Sequence, residues 1–270
     1  MTDAPLPTIQ MFWHGPPLSR LERLSMASFQ YHGHPVDLYV YDESAHVPAG
    51  VRVRNAEEIL PRATLFRHKR TGSFGLFSDW FRYRLLYARG GIWADSDIVC
   101  LRPFDHPRPQ IFAWQDNELI CGAVLGLPAS DPLASWLAEC CESPNRVRPY
   151  DSVRLRLRKW RRYLQGNRRD RVRWGENGPR GLTAAVRYFG YLENTLPSWH
   201  FYPVPAREFS RLFETPHEDA PLKLHGSYAV HLWNNLLWRA IGPDRNRRFV
   251  ADSLFERLCA RYLRDEALAS

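Results

Sequence analysis

No run of about 18 or more apolar residues occurs in this 270-residue sequence, and its beginning shows no basic stretch followed by an apolar run. The expectation is a soluble, cytoplasmic protein without a membrane span of its own. Cysteine is scarce: Cys100, Cys121, Cys140, Cys141 and Cys259 form an odd set of five, with no CxxC pair and no histidines at zinc-site spacing. That pattern excludes a disulfide framework and a zinc module, and predicts reduced, mostly buried thiols. Internal repeats and low-complexity tracts are also lacking, which excludes a repeat array.

What is present suits an ordinary globular core. With 44% hydrophobic and 13% aromatic residues, a chain of this length can bury enough surface to fold without disulfides or a structural metal. One domain is expected, divided into 1–128, 129–175 and 176–270. The formal charge of +8 implies attraction to something anionic, whether a nucleotide, a nucleic acid or an acidic membrane.

The order of elements is that of an α/β protein. An apolar run at 9–13 stops at Gly15-Pro16-Pro17 and reads as a buried strand. Ser19 then caps a helix to about residue 30, and the alternating run 36–41 gives a second strand. A short strand at 51–53 and a helical turn at 56–60 follow. Phe77, Phe81, Leu85 and Ala88 recur at helical spacing within 74–89, and Gly90-Gly91 ends that helix. Strands are expected at 92–94, 98–99, 111–114 and 120–127, and a helix at 132–141. Over 145–173 eleven arginines stand against two acids, around a helix at 153–164, so this stretch reads as an insertion. Beyond it come a helix at 182–189, an extended segment at 201–204, a strand at 228–233 and an amphipathic helix at 247–267.

The chemistry concentrates where the strand 92–94 breaks into Asp95-Ser96-Asp97. Two carboxylates at i and i+2 can serve one cation only if the backbone turns between them. Mg²⁺ or Mn²⁺ held there would take oxygen ligands, leave positions for phosphate oxygens and neutralise a departing diphosphate. Asp79 and Arg82, at i and i+3 on the preceding helix, face one side. Arg82 can hold phosphate or pair with Asp79, and Asp79 can accept from sugar hydroxyls.

The segment Phe77-Ser78-Asp79-Trp80-Phe81-Arg82-Tyr83-Arg84, followed by Gly90-Gly91-Ile92-Trp93-Ala94-Asp95-Ser96-Asp97, resembles the sugar-binding, Asp-X-Asp region of glycosyltransferase family 32. It also resembles the related glycosylating bacterial toxins. Ala94 stands where that pattern has leucine. Two outlying parts agree. Residues 9–15 resemble the family's first strand. Gly178-Pro179, Phe201-Tyr202-Pro203 and Val230-His231-Leu232-Trp233-Asn234 resemble the C-terminal region of the α-1,4-galactosyl- and α-1,4-N-acetylglucosaminyltransferases.

The resemblance implies a GT-A type nucleotide-diphospho-sugar transferase fold, α/β with a mostly parallel mixed central sheet. It implies a UDP-sugar donor, an oligosaccharide or glycolipid acceptor and retention of configuration. By it, Phe12 and Trp13 lie against the base, although both also suit a core. Asp95, Ser96 and Asp97 contact metal and ribose, Asp79 and Arg82 hold sugar or phosphate, and Asn177 and Glu176 either approach the reacting carbon or cap the following turn. His231 is the implied third metal ligand, with His14 and His225 as competitors, and an imidazole tilts the metal toward Mn²⁺. The arginine-rich insertion is expected either to be a solvated face or to meet an anionic membrane.

Two other classes compete. A haloacid-dehalogenase-type phosphohydrolase also carries Asp-X-Asp after a strand, but near its start and with a later lysine; here Lys159 and Lys223 are the only lysines downstream. A nucleic-acid-binding module accounts for the arginines and leaves Asp79, Asp95 and Asp97 without a role. No nucleic-acid partner is therefore expected.

Overall fold

Ser19 begins the first helix with a reciprocal cap: its hydroxyl and backbone N–H both reach the Glu22 carboxylate, which lets a buried glutamate sit at a helix start. In the computed structural model, which describes residues 5–42, 47–106, 108–242, 244 and 246–263, the elements run β1 (Ile9–Trp13), α1 (Arg20–Tyr31), β2 (Val36–Val40), β3 (Arg52–Asn55), α2 (Gly75–Arg89), β4 (Gly91–Ala94), β5 (Ile98–Cys100), β6 (Ile111–Trp114) and β7 (Ile120–Leu127). Then come α3 (Pro132–Glu142), α4 (Val153–Leu164), α5 (Pro179–Tyr188), β8 (Ala229–His231), α6 (Asn234–Ile241) and α7 (Leu254–Tyr262), with short 3-10 turns between several of them. The fold is α/β with a six-stranded, mostly parallel mixed central sheet, as expected for the GT-A type.

Two compact units interleave along the chain. The first comprises Met1–Arg54, Ala94–Pro107 and Leu196–Ser270. Its strands run in the order β3-β2-β1, with β1 and β2 parallel and buried along their whole inner length. A separate two-stranded ladder pairs β5 antiparallel with β8, Ile98 opposite His231. Helix α1 carries that ladder. Its Ser25 hydroxyl donates to the Ile98 carbonyl at 2.6 Å, and its Ser28 hydroxyl accepts from the Cys100 N–H at 2.8 Å. These bonds satisfy backbone groups that the small ladder leaves buried and open.

The second unit comprises Asn55–Trp93 and Arg108–Thr195. Its strands run β4-β7-β6, with β6 and β7 antiparallel. Helices α2, α3 and α5 pack beside them through Phe77, Phe81, Leu137 and Leu182, all fully buried. Gly90 separates α2 from β4 with φ of 63°, and a Cβ there would stand 2.4 Å from the Ala129 nitrogen. Only glycine meets both demands.

Several boundaries differ from those read in the sequence. Helix α5 starts at Pro179, a turn earlier than residue 182, because proline suits a first helical position. Residues 201–204 are bends rather than a strand, after a 3-10 turn at Ser198–His200. The strand expected at 228–233 ends at His231, because Trp233 turns into the left-handed region and starts α6, a helix not anticipated. The C-terminal helix is Leu254–Tyr262, capped by Ser253; of the expected 247–267, residues 264–267 lie outside those described. All five cysteines are free thiols and all but Cys140 are buried. Burial raises the thiols of Cys100, Cys140 and Cys141 above their ordinary range, which makes them poor nucleophiles.

Candidate functional site

The chain leaves β4 at Ala94 and turns at once. The Ile98 N–H donates to the Asp95 carbonyl at 3.0 Å, closing a turn over Ser96 and Asp97. This is the reversal that two carboxylates at i and i+2 require. Asp95 and Ser96 are half-buried, whereas Asp97 is buried.

A buried carboxylate must be compensated, and Asp97 is. Its Oδ2 accepts from His231 Nε2 at 3.1 Å and from the Asn234 N–H at 2.9 Å, and its own carbonyl accepts from the Leu232 N–H at 2.9 Å. Burial raises the Asp97 carboxyl, but the His231 imidazole and the Asn234 amide outweigh it and leave the group below its ordinary value. Trp233 makes this possible. It adopts φ 53° and ψ 44°, a costly conformation for a bulky residue, and is held there by its indole N–H on the Val204 carbonyl at 2.9 Å. Its ring lies 4.0 Å from the His231 ring, with Tyr202 behind both. The turn at Trp233 aims the first amide of α6 at Asp97.

The donor set fits a divalent cation in part. Asp97 Oδ2 and His231 Nε2 stand 3.1 Å apart, and both would hold a cation only with the hydrogen-bonding proton between them displaced. Oxygen and imidazole together suit Mn²⁺ better than Mg²⁺. Among the described residues no three His, Cys, Asp or Glu side chains form a ligating cluster, so Asp97 and His231 are a pair, with Asp95 at the head of the turn. The competitors lie elsewhere in the same unit: His225 is exposed in a turn, and His14 faces Asp42 at 3.8 Å.

At the end of β1, Phe12 is buried edge-on to Tyr41, so it is a core residue. Trp13 is half-buried and donates to the Pro16 carbonyl at 2.9 Å. With His14, Pro17, Val40 and Asp42 it lines a small concavity of about 90 Å³. Trp13, unlike Phe12, presents a surface to a ligand.

In the other unit, α2 brings Asp79 and Arg82 together, Arg82 Nη1 lying 3.4 Å from Asp79 Oδ1. Arg82 is buried, its guanidinium 5.1 Å over the Trp93 ring and packed so closely on Gly122 that a Cβ there would fall 2.4 Å from Nη1. The pair is therefore an interior feature, not a surface salt bridge. Gly178 approaches the Asp79 carboxylate with similar intimacy, its Cβ position being 3.1 Å from Oδ2. Beside them the Tyr83 hydroxyl donates to the Asn177 carbonyl at 3.1 Å. Asn177 also borders a cavity of about 310 Å³ whose walls include Arg148, Tyr150, Arg154, Arg173 and Arg180. Glu176 is engaged otherwise: both its oxygens take the Arg162 guanidinium, at 2.6 and 3.0 Å.

Gly122 was not picked out in the sequence, and Tyr83, Trp233 and Asn234 stood in the family-like segments without a role; a backbone amide, a left-handed tryptophan and a close-approach glycine give little signal of their own.

Two stretches of the chain match known families. Residues 48–116 match the glycosyltransferase sugar-binding region containing the DXD motif, and residues 167–265 match the alpha 1,4-glycosyltransferase conserved region. Asp97 lies in the first and His231 in the second. Over these two stretches the chain is similar to the α-1,4-glycosyltransferases. Its relatives include human alpha-1,4-N-acetylglucosaminyltransferase, 26% identical over 201 residues that cover 70% of this chain and 51% of that protein. Lactosylceramide 4-alpha-galactosyltransferase of Pongo pygmaeus is 26% identical over 202 residues, 69% of this chain and 78% of that one. The chain thus spans about half the length of the human relative. Among solved structures, PaToxG Glycosyltransferase aligns over 96% of this chain and 87% of its own, at TM-score 0.45 and 11% identity. The Asp-X-Asp pair within the first matched stretch is Asp95 and Asp97.

Proposed function

We propose that this chain transfers a hexose or N-acetylhexosamine from a nucleotide-sugar, a UDP-sugar by the family likeness, to a hydroxyl of an oligosaccharide or glycolipid acceptor, with retention of configuration. The carrying observation is the Asp97–His231 contact: it joins a residue of the DXD region to one of the α-1,4 region in a compensated, buried polar pair. A pair of that kind costs desolvation, which makes it a candidate for a functional site.

Asp97 and His231, with Asp95, would hold a divalent cation, Mn²⁺ in preference to Mg²⁺, whose charge would stabilise the leaving diphosphate. Asp95 and Ser96, half-buried at the turn, are assigned to ribose hydroxyls. Trp13 offers a ring face for the base. Arg82 is assigned to sugar or phosphate, Asp79 to sugar hydroxyls and Asn177 to the neighbourhood of the reacting carbon. In a retaining course the acceptor hydroxyl attacks from the side on which diphosphate departs, and a leaving phosphate oxygen takes its proton. On this reading the enzyme works in the cytoplasm on an acceptor presented at the inner membrane.

The test is release of nucleoside diphosphate from a panel of UDP- and GDP-sugars with Mn²⁺, with and without oligosaccharide and glycolipid acceptors. Turnover of a UDP-sugar that needs Asp97 supports the reading. Release of phosphate from phosphomonoesters, with every nucleotide-sugar inert, would overturn it in favour of phosphohydrolysis.

A further inference from the structure

Helix α4 is built inside out. Its sequence, VRLRLRKWRRYL, contains no acid, and its buried side chains are the cations Lys159 and Arg162. Lys159 Nζ donates to Asp151 Oδ2 at 2.7 Å and to the Arg146 carbonyl at 3.2 Å, while Arg162 takes both oxygens of Glu176 and the Asn145 Oδ1. Apart from half-buried Leu155, the apolar residues point the other way. Val153, Leu157, Trp160 and Leu164 are 74%, 60%, 60% and 63% exposed, and Tyr163 beside them is 60% exposed.

Those four positions are spaced i, i+4, i+7 and i+11, one continuous stripe on a helix of 3.6 residues per turn. Arg154 and Arg161 border it on one side and Arg156, whose guanidinium donates to the Asp151 and Pro149 carbonyls, on the other. A water-facing helix has the opposite distribution, so this face needs a partner. The charges at its margins say which kind. A second copy of α4 laid on this stripe would set arginine against arginine, which is repulsive. An anionic bilayer answers both features. Leucine, valine and the tryptophan ring enter the headgroup boundary, Trp and Tyr suit that depth, and the arginines reach lipid phosphates from the margins. At twelve residues α4 is too short to span and lies in the surface plane.

We infer that α4 is the membrane-contact element of this protein, seated stripe-down in the headgroup layer of an anionic bilayer. This rests on the peripheral location proposed above and not on the transfer chemistry.

Flotation of the full chain with phosphatidylcholine vesicles and with vesicles containing phosphatidylglycerol tests it. Binding should require phosphatidylglycerol, weaken with salt, and fall about tenfold or more in Leu157→Glu/Trp160→Glu, whose exposed sites leave the far-UV spectrum unchanged. Arg154→Gln/Arg161→Gln should weaken binding and flatten its salt dependence. Vesicle binding that is absent, or equal in wild type and both variants, would overturn the inference. So would a wild-type dimer that the first variant converts to monomer without any vesicle binding, since the face would then join two copies. UDP titration of the same samples separates the two readings: vesicle binding without UDP binding leaves the membrane face standing and removes the transferase.

Discussion

His231 Nε2 lies 3.1 Å from Asp97 Oδ2, a contact that closes 134 residues of chain at the antiparallel ladder of β5 and β8. The imidazole and the carboxylate are both buried, and the Asn234 amide shares the same oxygen.

His231→Gln keeps a donor near Asp97 and removes the imidazole. The variant should stay folded while the Mn²⁺ concentration needed for half-maximal nucleotide binding rises about tenfold or more. Mn²⁺ titrations of both proteins at fixed nucleotide check this. An unchanged demand would make His231 a structural partner of Asp97 only.

Gly122→Ala should act through Arg82. The new methyl group would arrive 2.4 Å from Nη1 of a guanidinium enclosed by Trp93 and Asp79. The expected result is a fall of about tenfold or more in kcat/KM for donor, because displacement of about 1 Å at a positioning group costs up to about 100-fold. Steady-state kinetics beside a thermal melt separates this from simple unfolding.

Glu176 is expected to matter for stability before chemistry. Its bidentate bond to Arg162 joins side chains 10% and 9% exposed. Glu176→Ala strands the guanidinium and should cost about 3–5 kcal/mol, whereas Arg162→Met/Glu176→Leu should cost much less. Urea unfolding gives both numbers, and equal losses would contradict the buried-pair reading.

Acid should weaken the clamp between α1 and α7. Arg20 takes both oxygens of Glu256, which also accepts from the Phe249 N–H. Burial raises the Glu256 carboxyl, but Arg20 and the Phe249 amide outweigh it and hold the group below its ordinary value of 4.5. A carboxyl depressed in the folded state adds stability above its unfolded pKa, and that stability is lost as pH falls through the folded value. Urea midpoints should therefore drop below about pH 4.5, with a smaller drop in Glu256→Gln.

Regular elements were legible where one face is apolar and the caps are strong. The ranges 9–13, 111–114, 120–127 and 153–164 coincide with β1, β6, β7 and α4, the last started by Ser152 accepting from the Leu155 N–H. Helix α6 was hidden because the run through Leu232 and Trp233 stays apolar while the backbone reverses, a tertiary choice held by Val204 and His231. The Asp95–Asp97 turn was legible from its spacing; the partnership with His231 was not, since it depends on strand register across 134 residues and came from family likeness. Period alone also could not say which side of α4 faces water. Its buried cations reveal that only with Asp151 and Glu176 in place.

The most direct measurement is calorimetric titration of UDP into the protein with and without Mn²⁺, repeated on Asp95→Ala/Asp97→Ala. Binding that depends on Mn²⁺ and disappears in the folded double variant is the predicted result. Absence of UDP binding under any divalent metal, or binding that the double variant retains, would contradict a nucleotide-sugar site at Asp95 and Asp97.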